Sequence, residues 1–175
     1  TIHRLYEEQV ERKPDQVVLV SDHSDQSDMS DQFYRSYRSY RSYISITYRE
    51  LNERSARMAH LLIEKGVCTD TIVGIKVERT LEMIIGLLGI LKAGGVYLPI
   101  DPEYPEERIE YMLKDSGVPI LLTAPTVEEA INRSYKSYMS YTSPGNLQTS
   151  CSPNCRVGSA NLAYIIYTSG STGQP

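Results

Sequence analysis

The sequence Asn161-Leu-Ala-Tyr-Ile-Ile-Tyr-Thr-Ser-Gly-Ser-Thr-Gly-Gln-Pro175 decides how the fold is interpreted. Its apolar run from Leu162 to Tyr167 predicts a buried β-strand. A loop of small hydroxyl residues and glycines, residues 168–173, follows directly. Glycines allow positive φ angles and a close approach of the backbone to a ligand, and successive N–H groups in such a turn form a concave nest for an anion. The stretch therefore predicts a strand that leads into a phosphate-binding loop.

Two well-known nucleotide-binding loops and a flexible linker fit these residues less well. A Walker loop requires a Gly-Lys pair at its end, and the Gly-x-Gly-x-x-Gly spacing of dinucleotide-binding turns is absent as well. A flexible Ser/Gly linker has the same composition, but linkers seldom begin at a buried strand.

Composition limits the class of protein. A chain of 175 residues is long enough for one domain with a hydrophobic core. Its formal net charge of −4 argues against a nucleic-acid partner. No apolar run reaches the roughly 18 residues of a membrane-spanning helix, and residues 1–8 do not form a signal peptide. Three cysteines without a secretory signal indicate a reduced, cytoplasmic setting.

We expect no metal site. Cys151 and Cys155 are spaced as a pair of ligands, but two more ligands at a zinc-type spacing are missing. The histidines are scattered along the chain and are expected on the surface or on helices.

Two tracts repeat with a period of three residues. Ser-Asp dipeptides and then Tyr-Arg-Ser triplets occupy residues 21–43, and Ser-Tyr repeats occupy residues 133–143. This period fits neither helix nor strand, and polar low-complexity tracts bury too little surface to fold. We interpret both tracts as disordered surface insertions. An acidic arm, a Tyr/Arg arm that stacks on bases and an error in the sequence are the alternatives.

The rest of the chain alternates between helical and extended patterns, from the strand at residues 16–20 to the strand at residues 162–167. This alternation predicts an α/β layered fold with a largely parallel sheet and flanking helices. Thr47-Tyr-Arg-Glu50 has the form of a capping box that begins a helix. Thr80 is expected to cap the next helix, which is apolar nearly all round and should be buried. Ligands bind beyond the carboxyl ends of such strands, where the 168–173 loop is expected.

Three segments resemble one enzyme family. The stretch from Leu162 to Pro175 is similar to the phosphate-loop motif of the adenylate-forming enzymes, in particular the amino-acid adenylation domains of nonribosomal peptide synthetases. Thr47-Tyr-Arg-Glu-Leu51 and Leu91-Lys-Ala-Gly-Gly-Val-Tyr-Leu-Pro-Ile-Asp101 are the second and third matches. We expect both to have a mainly structural role, with direct ligand contact as the alternative for the longer one. Three motifs in the right order are more specific than the loop alone.

The resemblance implies a reaction and a site. The chain would be the first part of the large N-terminal subdomain of an adenylate-forming enzyme. The intact domain would use ATP and Mg²⁺ to convert an amino acid into an aminoacyl-adenylate with release of pyrophosphate. The acyl group would pass to the phosphopantetheine of a carrier domain, in a synthetase that also has condensation domains. The β- and γ-phosphates of ATP would be held by Thr168, Ser169, Gly170, Ser171, Thr172 and Gly173.

Much of the family's active site has no counterpart in this sequence. The family motif continues with Lys-Gly after the proline, whereas this sequence stops at Pro175. The specificity pocket, the magnesium ligand and the catalytic lysine lie further downstream in the family. We therefore expect residues 1–175 to be the N-terminal portion of an adenylation domain, without a catalytic residue and without turnover alone. The alternatives are an acyl-CoA synthetase-like acid ligase, and a catalytically silent domain with an interaction arm.

Overall fold

The computed structural model describes residues 1–22, 43–132 and 157–168. The expected insertion at 133–143 lies outside these ranges, as do residues 23–42 of the other insertion and the Cys151/Cys155 pair. The described helices are α1 (Ile2–Arg12), α2 (Tyr48–Glu64), α3 (Leu81–Lys92), α4 (Glu106–Ser116) and α5 (Ala124–Asn132). The described strands are β1 (Val17–Asp22), β2 (Tyr43–Thr47), β3 (Ile72–Lys76), β4 (Val96–Pro99) and β5 (Ile120–Thr123).

β3 is the central strand of a parallel sheet with the order β4-β3-β5. Neighbouring residues of its strands face two different apolar clusters. Val73 and Leu122 pack with α2, α3 and α5, whereas Ile72 and Leu121 pack with Ile109 and other residues of α4. Burial on both faces is typical of parallel sheets. The predicted α/β fold with a parallel sheet and flanking helices is confirmed.

β1 and β2 form a separate antiparallel hairpin. Val17 pairs with Thr47 at one end and Asp22 with Tyr43 at the other. Among the described residues, this hairpin makes no ladder with the parallel sheet. This hairpin interrupts the predicted alternation of helix and strand, which is regular from β2 to α5.

α2 begins at the predicted capping box. Thr47 Oγ1 accepts a hydrogen bond from Glu50 N at 3.3 Å, and Glu50 Oε2 accepts one from Thr47 N at 2.9 Å. The second of these bonds is the main cause of a lowered pKa at Glu50. The face predicted from the apolar spacing, with Leu51, Met58 and Leu62, is buried.

α3 differs from its prediction in two respects. The Thr80 side chain makes no capping hydrogen bond to α3, and its Oγ1 donates to the Glu78 carbonyl oxygen at 3.4 Å instead. Burial also holds for only part of the helix. Ile85 and Ile90 are fully buried, whereas Met83 is only half-buried, because it lines an open cavity.

A buried cation links α3 to α2. Lys92 is 1% exposed, and its Nζ donates to Asn52 Oδ1 at 2.5 Å and to Asn52 O at 3.2 Å. The same Nζ lies 5.7 Å from the centroid of the Tyr6 ring of α1. The two helices approach closely at Gly89, where a Cβ atom would lie 2.5 Å from Met58 Cγ. Since a buried charge is costly unless it is hydrogen-bonded, Asn52 stabilises Lys92 in the core.

Glu50→Gln tests the charge in the capping box. The folded-state pKa of Glu50 lies below its ordinary value of 4.5, so its stabilising effect is present above pH 4.5 and is lost as the pH falls through the folded-state pKa. We expect the variant to be less stable than the wild type at pH 7, with a difference that vanishes in acid. Urea unfolding from pH 3 to pH 7 measures this. Glu53→Gln, on the exposed side of α2, is the control, and an equal pH-dependent difference there would contradict this role for Glu50.

Asn52→Leu tests the buried cation. The substitution removes the Oδ1 acceptor of the Lys92 ammonium and leaves the backbone carbonyl of residue 52 in place. We expect the free energy of unfolding to fall by about 3 kcal/mol. Adding Lys92→Met removes the charge and should restore most of that loss. Chemical denaturation of the two single variants and the double variant measures the coupling. A double variant no more stable than Asn52→Leu would contradict the role given to Asn52.

Candidate functional site

Residues 161–168, here named the approach segment, lie beside β4 and run parallel to it. Tyr164 forms a parallel bridge with Tyr97. Tyr97 N donates to Ala163 O at 3.1 Å, and Ile165 N donates to Tyr97 O at 3.0 Å. Because the segment runs in the direction of β4, Thr168 lies at the carboxyl edge of the sheet. This is the edge at which ligands of parallel α/β sheets bind.

The approach segment is packed on one side only. Leu162, Tyr164 and Ile166 are 58%, 52% and 59% exposed, whereas Ile165 and Tyr167 pack against the cluster around α4. The prediction of a buried strand from Leu162 to Tyr167 is therefore wrong. A short apolar run does not distinguish a strand that is covered on both faces from one covered on a single face.

Asp70, in the turn between α2 and β3, holds the beginning of the approach segment. Its Oδ2 accepts a hydrogen bond from Asn161 Nδ2 at 2.8 Å, and its Oδ1 accepts one from Leu162 N at 3.0 Å. Asn161 Oδ1 in turn accepts from Gly158 N at 2.8 Å. Asp70 has a φ angle of 62°, in the left-handed region that aspartate enters more readily than most residues.

Tyr167 holds the other end of the segment. Its hydroxyl donates to Asp115 Oδ2, in the last turn of α4, at 2.6 Å, and its ring meets Tyr111 edge-on at 6.4 Å. Desolvation, followed by the hydrogen bond to Asp115, raises the pKa of Tyr167 to about 12. The phenol therefore stays protonated and donates at physiological pH.

A cavity of about 670 Å³ opens at the carboxyl edge of the sheet. Its walls include Val77, Pro99, Ile166 and Tyr167, and most of its remaining lining is apolar. Among the described residues that line it, the charged groups are three carboxylates and one guanidinium, belonging to Glu78, Asp101, Glu103 and Arg79. Since like charges repel, the excess of carboxylates makes the cavity a poor place for polyphosphate.

The structure describes one of the six residues predicted to hold phosphates. Thr168 is exposed, at the end of the approach segment. The remaining five, Ser169, Gly170, Ser171, Thr172 and Gly173, lie outside the described residues. Their role stays a prediction.

Residues 1–22, 43–132 and 157–168 contain neither a cluster of metal ligands nor a membrane-spanning helix. No group of three or more His, Cys, Asp or Glu side chains in these ranges is placed to bind a metal ion. Among the helices described, none has both the length and the apolar character needed to cross a bilayer. Cys68 is exposed, with its Sγ 3.3 Å from Thr71 Oγ1.

Residues 6–175 match the family model described as AMP-binding enzyme. The chain belongs to this AMP-binding enzyme family. It is 45% identical to bacitracin synthase 3 of Bacillus licheniformis, over 100% of this chain and 2% of that protein. It is 44% identical to gramicidin S synthase 2 of Brevibacillus brevis, over 100% of this chain and 4% of that protein. The chain thus spans a few per cent of these curated relatives.

Solved structures agree with the AMP-binding fold. The N-terminal subdomain of Klebsiella oxytoca NpsA, in complex with anthranilyl-AMSN, is 28% identical with a TM-score of 0.70, over 99% of this chain and 39% of that chain. The nonribosomal peptide synthetase FmoA3 is 28% identical with a TM-score of 0.58, over 73% of this chain and 12% of that chain.

The sequence patterns did not indicate Asp70, Asn161 or Asp115 as contributors to the site. Asp70 and Asn161 are 91 positions apart, and Asp115 and Tyr167 are 52 positions apart. A single aspartate in a turn or near the end of a helix carries no local signal of a distant partner. The apolar run predicted Tyr167 as part of a buried strand, without a role for its hydroxyl.

Tyr167→Phe tests the contact with Asp115. Losing the hydrogen bond to the carboxylate should cost roughly 1–2 kcal/mol of unfolding free energy. Because the pKa of Tyr167 is raised from 10 to about 12, its contribution is present below pH 10 and is lost as the pH rises to 12. Urea unfolding at intervals from pH 8 to pH 12 should show the difference from the wild type narrowing. Tyr164→Phe, an exposed tyrosine of the same segment, is the control; a matching pattern there would contradict the assignment.

Proposed function

We propose that this chain supplies the phosphate-binding wall of an amino-acid adenylation site in a nonribosomal peptide synthetase. The observation that carries the proposal is the place of Thr168, at the carboxyl edge of the parallel sheet, where the approach segment leads into the Gly/Ser/Thr loop. Membership of the AMP-binding enzyme family and the identity with bacitracin and gramicidin S synthases support it.

In this proposal, the loop binds the β- and γ-phosphates of ATP. Backbone N–H groups and hydroxyls of Thr168, Ser169, Gly170, Ser171, Thr172 and Gly173 donate to the phosphate oxygens. A carboxylate oxygen of the amino acid attacks the α-phosphorus, and the bond from that phosphorus to the oxygen that bridges to the β-phosphate breaks. Pyrophosphate leaves with the electron pair of this bond. Donors that are already oriented stabilise the charge that develops there.

We place the phosphates in the loop rather than in the neighbouring cavity. The described cavity wall is mainly apolar, and its charged groups are three carboxylates and one guanidinium. Such a surface repels a polyphosphate. Among the described residues, no group of three or more His, Cys, Asp or Glu side chains is placed to bind a metal ion. Mg²⁺ therefore enters the proposal as the partner of ATP.

We further propose that residues 1–175 are the N-terminal portion of an adenylation domain and have no turnover alone. The chain aligns with 39% of the NpsA N-terminal subdomain chain. Exposed apolar side chains on Leu162, Tyr164 and Ile166 suit a surface that another part of the domain covers. In the intact synthetase, the acyl group would pass to the phosphopantetheine of a carrier domain, with condensation domains as further partners, in the cytoplasm.

A second substrate class is favoured by one observation. The N-terminal subdomain of NpsA is in complex with anthranilyl-AMSN in one structure and with 3-hydroxybenzoyl-AMSN in another, and neither acyl group is that of a standard amino acid. An acid ligase of the acyl-CoA synthetase type is therefore the alternative function. The segment from Leu91 to Asp101 favours the amino-acid branch.

ATP–pyrophosphate exchange by the full-length protein that carries this chain tests the function. We expect exchange that depends on an amino acid, and not on aryl or fatty acids. Gly170→Val and Thr172→Ala should each lower it at least about tenfold, since each removes a donor or blocks the approach of a phosphate. Ser45→Ala, at an exposed position of β2, is the matched control. Exchange that depends only on fatty acids would replace the proposal with its alternative.

The same assay on residues 1–175 alone tests the claim of inactivity. We expect no ATP–pyrophosphate exchange above background with any amino, aryl or fatty acid as the substrate. A signal that depends on one amino acid would overturn this part of the proposal.

A further inference from the structure

We propose that Asp70 and Asp115 are positioning residues for the phosphate loop, because they hold the two ends of the approach segment that leads into it. This inference rests on the proposed function, since it concerns the loop to which that function assigns ATP binding. It assigns a role to side chains that lie outside the Gly/Ser/Thr motif.

The approach segment pairs with the backbone of β4 over only a short length. Within the described residues, both of its ladder hydrogen bonds involve Tyr97. By contrast, β3 pairs over four residues with β4 and over four residues with β5. Short, half-exposed pairings fray and change register more easily than long ones. The position of the loop therefore requires contacts besides this ladder.

The Asp70 contact fixes the register at the beginning of the segment. Each carboxylate oxygen accepts a different donor, Asn161 Nδ2 and Leu162 N. Asp70 N donates to Gly94 O at 3.0 Å, which ties the same turn to the residues just before β4. A shift of the segment by one residue would break both contacts of the carboxylate.

The backbone of Asp70 supports a special role for its side chain. A φ angle of 62° lies in the left-handed region, which is unfavourable for most residues other than glycine. Glycine would adopt this conformation without strain, but it has no carboxylate to accept from the approach segment. The strained position is thus occupied by a residue whose side chain makes two hydrogen bonds.

The Asp115 contact fixes the end of the segment next to the loop. Tyr167 directly precedes Thr168, and its hydroxyl donates to Asp115 at 2.6 Å. Its ring packs against Tyr111, also in α4. The end of the approach segment next to the loop is therefore held by α4, whereas its beginning is held by the turn before β3.

Donors that stabilise a developing charge must be held within about 0.5 Å of the productive geometry. Since Asp70 and Asp115 act through the loop, their loss should weaken the handling of ATP and leave recognition of the amino acid intact. A purely structural role would instead lower the amount of folded protein without separating the two substrates.

An exchange of side chains between Asp70 and Asn161 provides the sharpest test. Asp70→Asn brings an amide against the Asn161 amide, so one donor loses its acceptor. Asn161→Asp brings two carboxylates together. The double exchange, Asp70→Asn with Asn161→Asp, again pairs an amide donor with a carboxylate, and leaves an amide oxygen at position 70 to accept from Leu162 N. The hydrogen bonds can therefore be rebuilt with the two groups reversed.

The kinetic expectation concerns the full-length protein in the ATP–pyrophosphate exchange assay. Each single variant, and Tyr167→Phe, should raise KM for ATP about tenfold, which is the loss expected for a hydrogen bond to a charged group. KM for the amino acid should stay within about twofold. The double exchange should return KM for ATP to within about threefold of the wild type. Asp15→Asn, which removes a carboxylate from the exposed pair with Arg49 at 3.1 Å, is the matched control and should leave both constants unchanged.

Two results would overturn the inference in a protein with exchange activity. One is an equal rise in KM for both substrates in the single variants. The other is a double exchange that is as impaired as the worse single variant. Either result would mean that the reversed hydrogen bonds do not govern the loop.

A hydrogen–deuterium exchange measurement separates this inference from the proposed function. If the wild type shows no ATP–pyrophosphate exchange with any carboxylic acid substrate, the proposed function fails. The anchoring of the approach segment is then judged by the protection of the amides of residues 161–168 from hydrogen–deuterium exchange. Faster amide exchange in both single variants and recovered protection in the double exchange would support the anchoring. Equal protection in all four proteins would overturn it.

Discussion

Parallel pairing around β3 is the constraint on which the rest of the molecule depends. Parallel strands cannot be joined by tight turns. α3 and α4 must therefore each return the chain from the carboxyl end of one strand to the amino end of the next. All carboxyl ends of the strands then lie together. The cavity, the end of β4 and Thr168 share one edge for this reason, although they come from distant parts of the sequence.

The contact between α2 and α3 differs in kind from the contacts that hold the approach segment. α2 and α3 meet through apolar side chains, through the close approach at Gly89, and through the buried Lys92–Asn52 hydrogen bonds. The approach segment is joined chiefly through polar groups at its ends, with a narrow apolar contact between them. The region nearest the proposed chemistry is thus held by fewer buried atoms than the core behind it, which is common for elements that handle ligands.

The sequence was informative wherever the deciding interaction is local. Thr47 and Glu50 are three positions apart, and their capping box is present as predicted. The apolar spacing of α2 predicted its buried face, and the alternation of helical and extended patterns predicted the parallel α/β fold. Thr80 is a good capping residue by type, yet its hydroxyl bonds the Glu78 carbonyl instead, a choice that depends on the local path of the chain.

Interactions between distant residues were beyond the sequence alone. The burial of Leu162 to Tyr167 depends on whether other elements cover one face of the segment or both, and an apolar run does not reveal this. The partnership of Asp70 with Asn161 depends on a turn and a segment that meet only after the sheet has formed. For the loop from Ser169 to Gly173, the sequence motif remains the basis of the assignment.

The exposed row of Leu162, Tyr164 and Ile166 has a practical meaning for work with this chain. It lies along the outermost extended segment of the described sheet, where strands from separate molecules can join edge to edge. We therefore expect preparations of residues 1–175 alone to self-associate, and lysine or glutamate at one of these three positions to reduce that association. The same exposed apolar side chains that suit this surface to the interior of a larger domain favour aggregation when the surface is left uncovered.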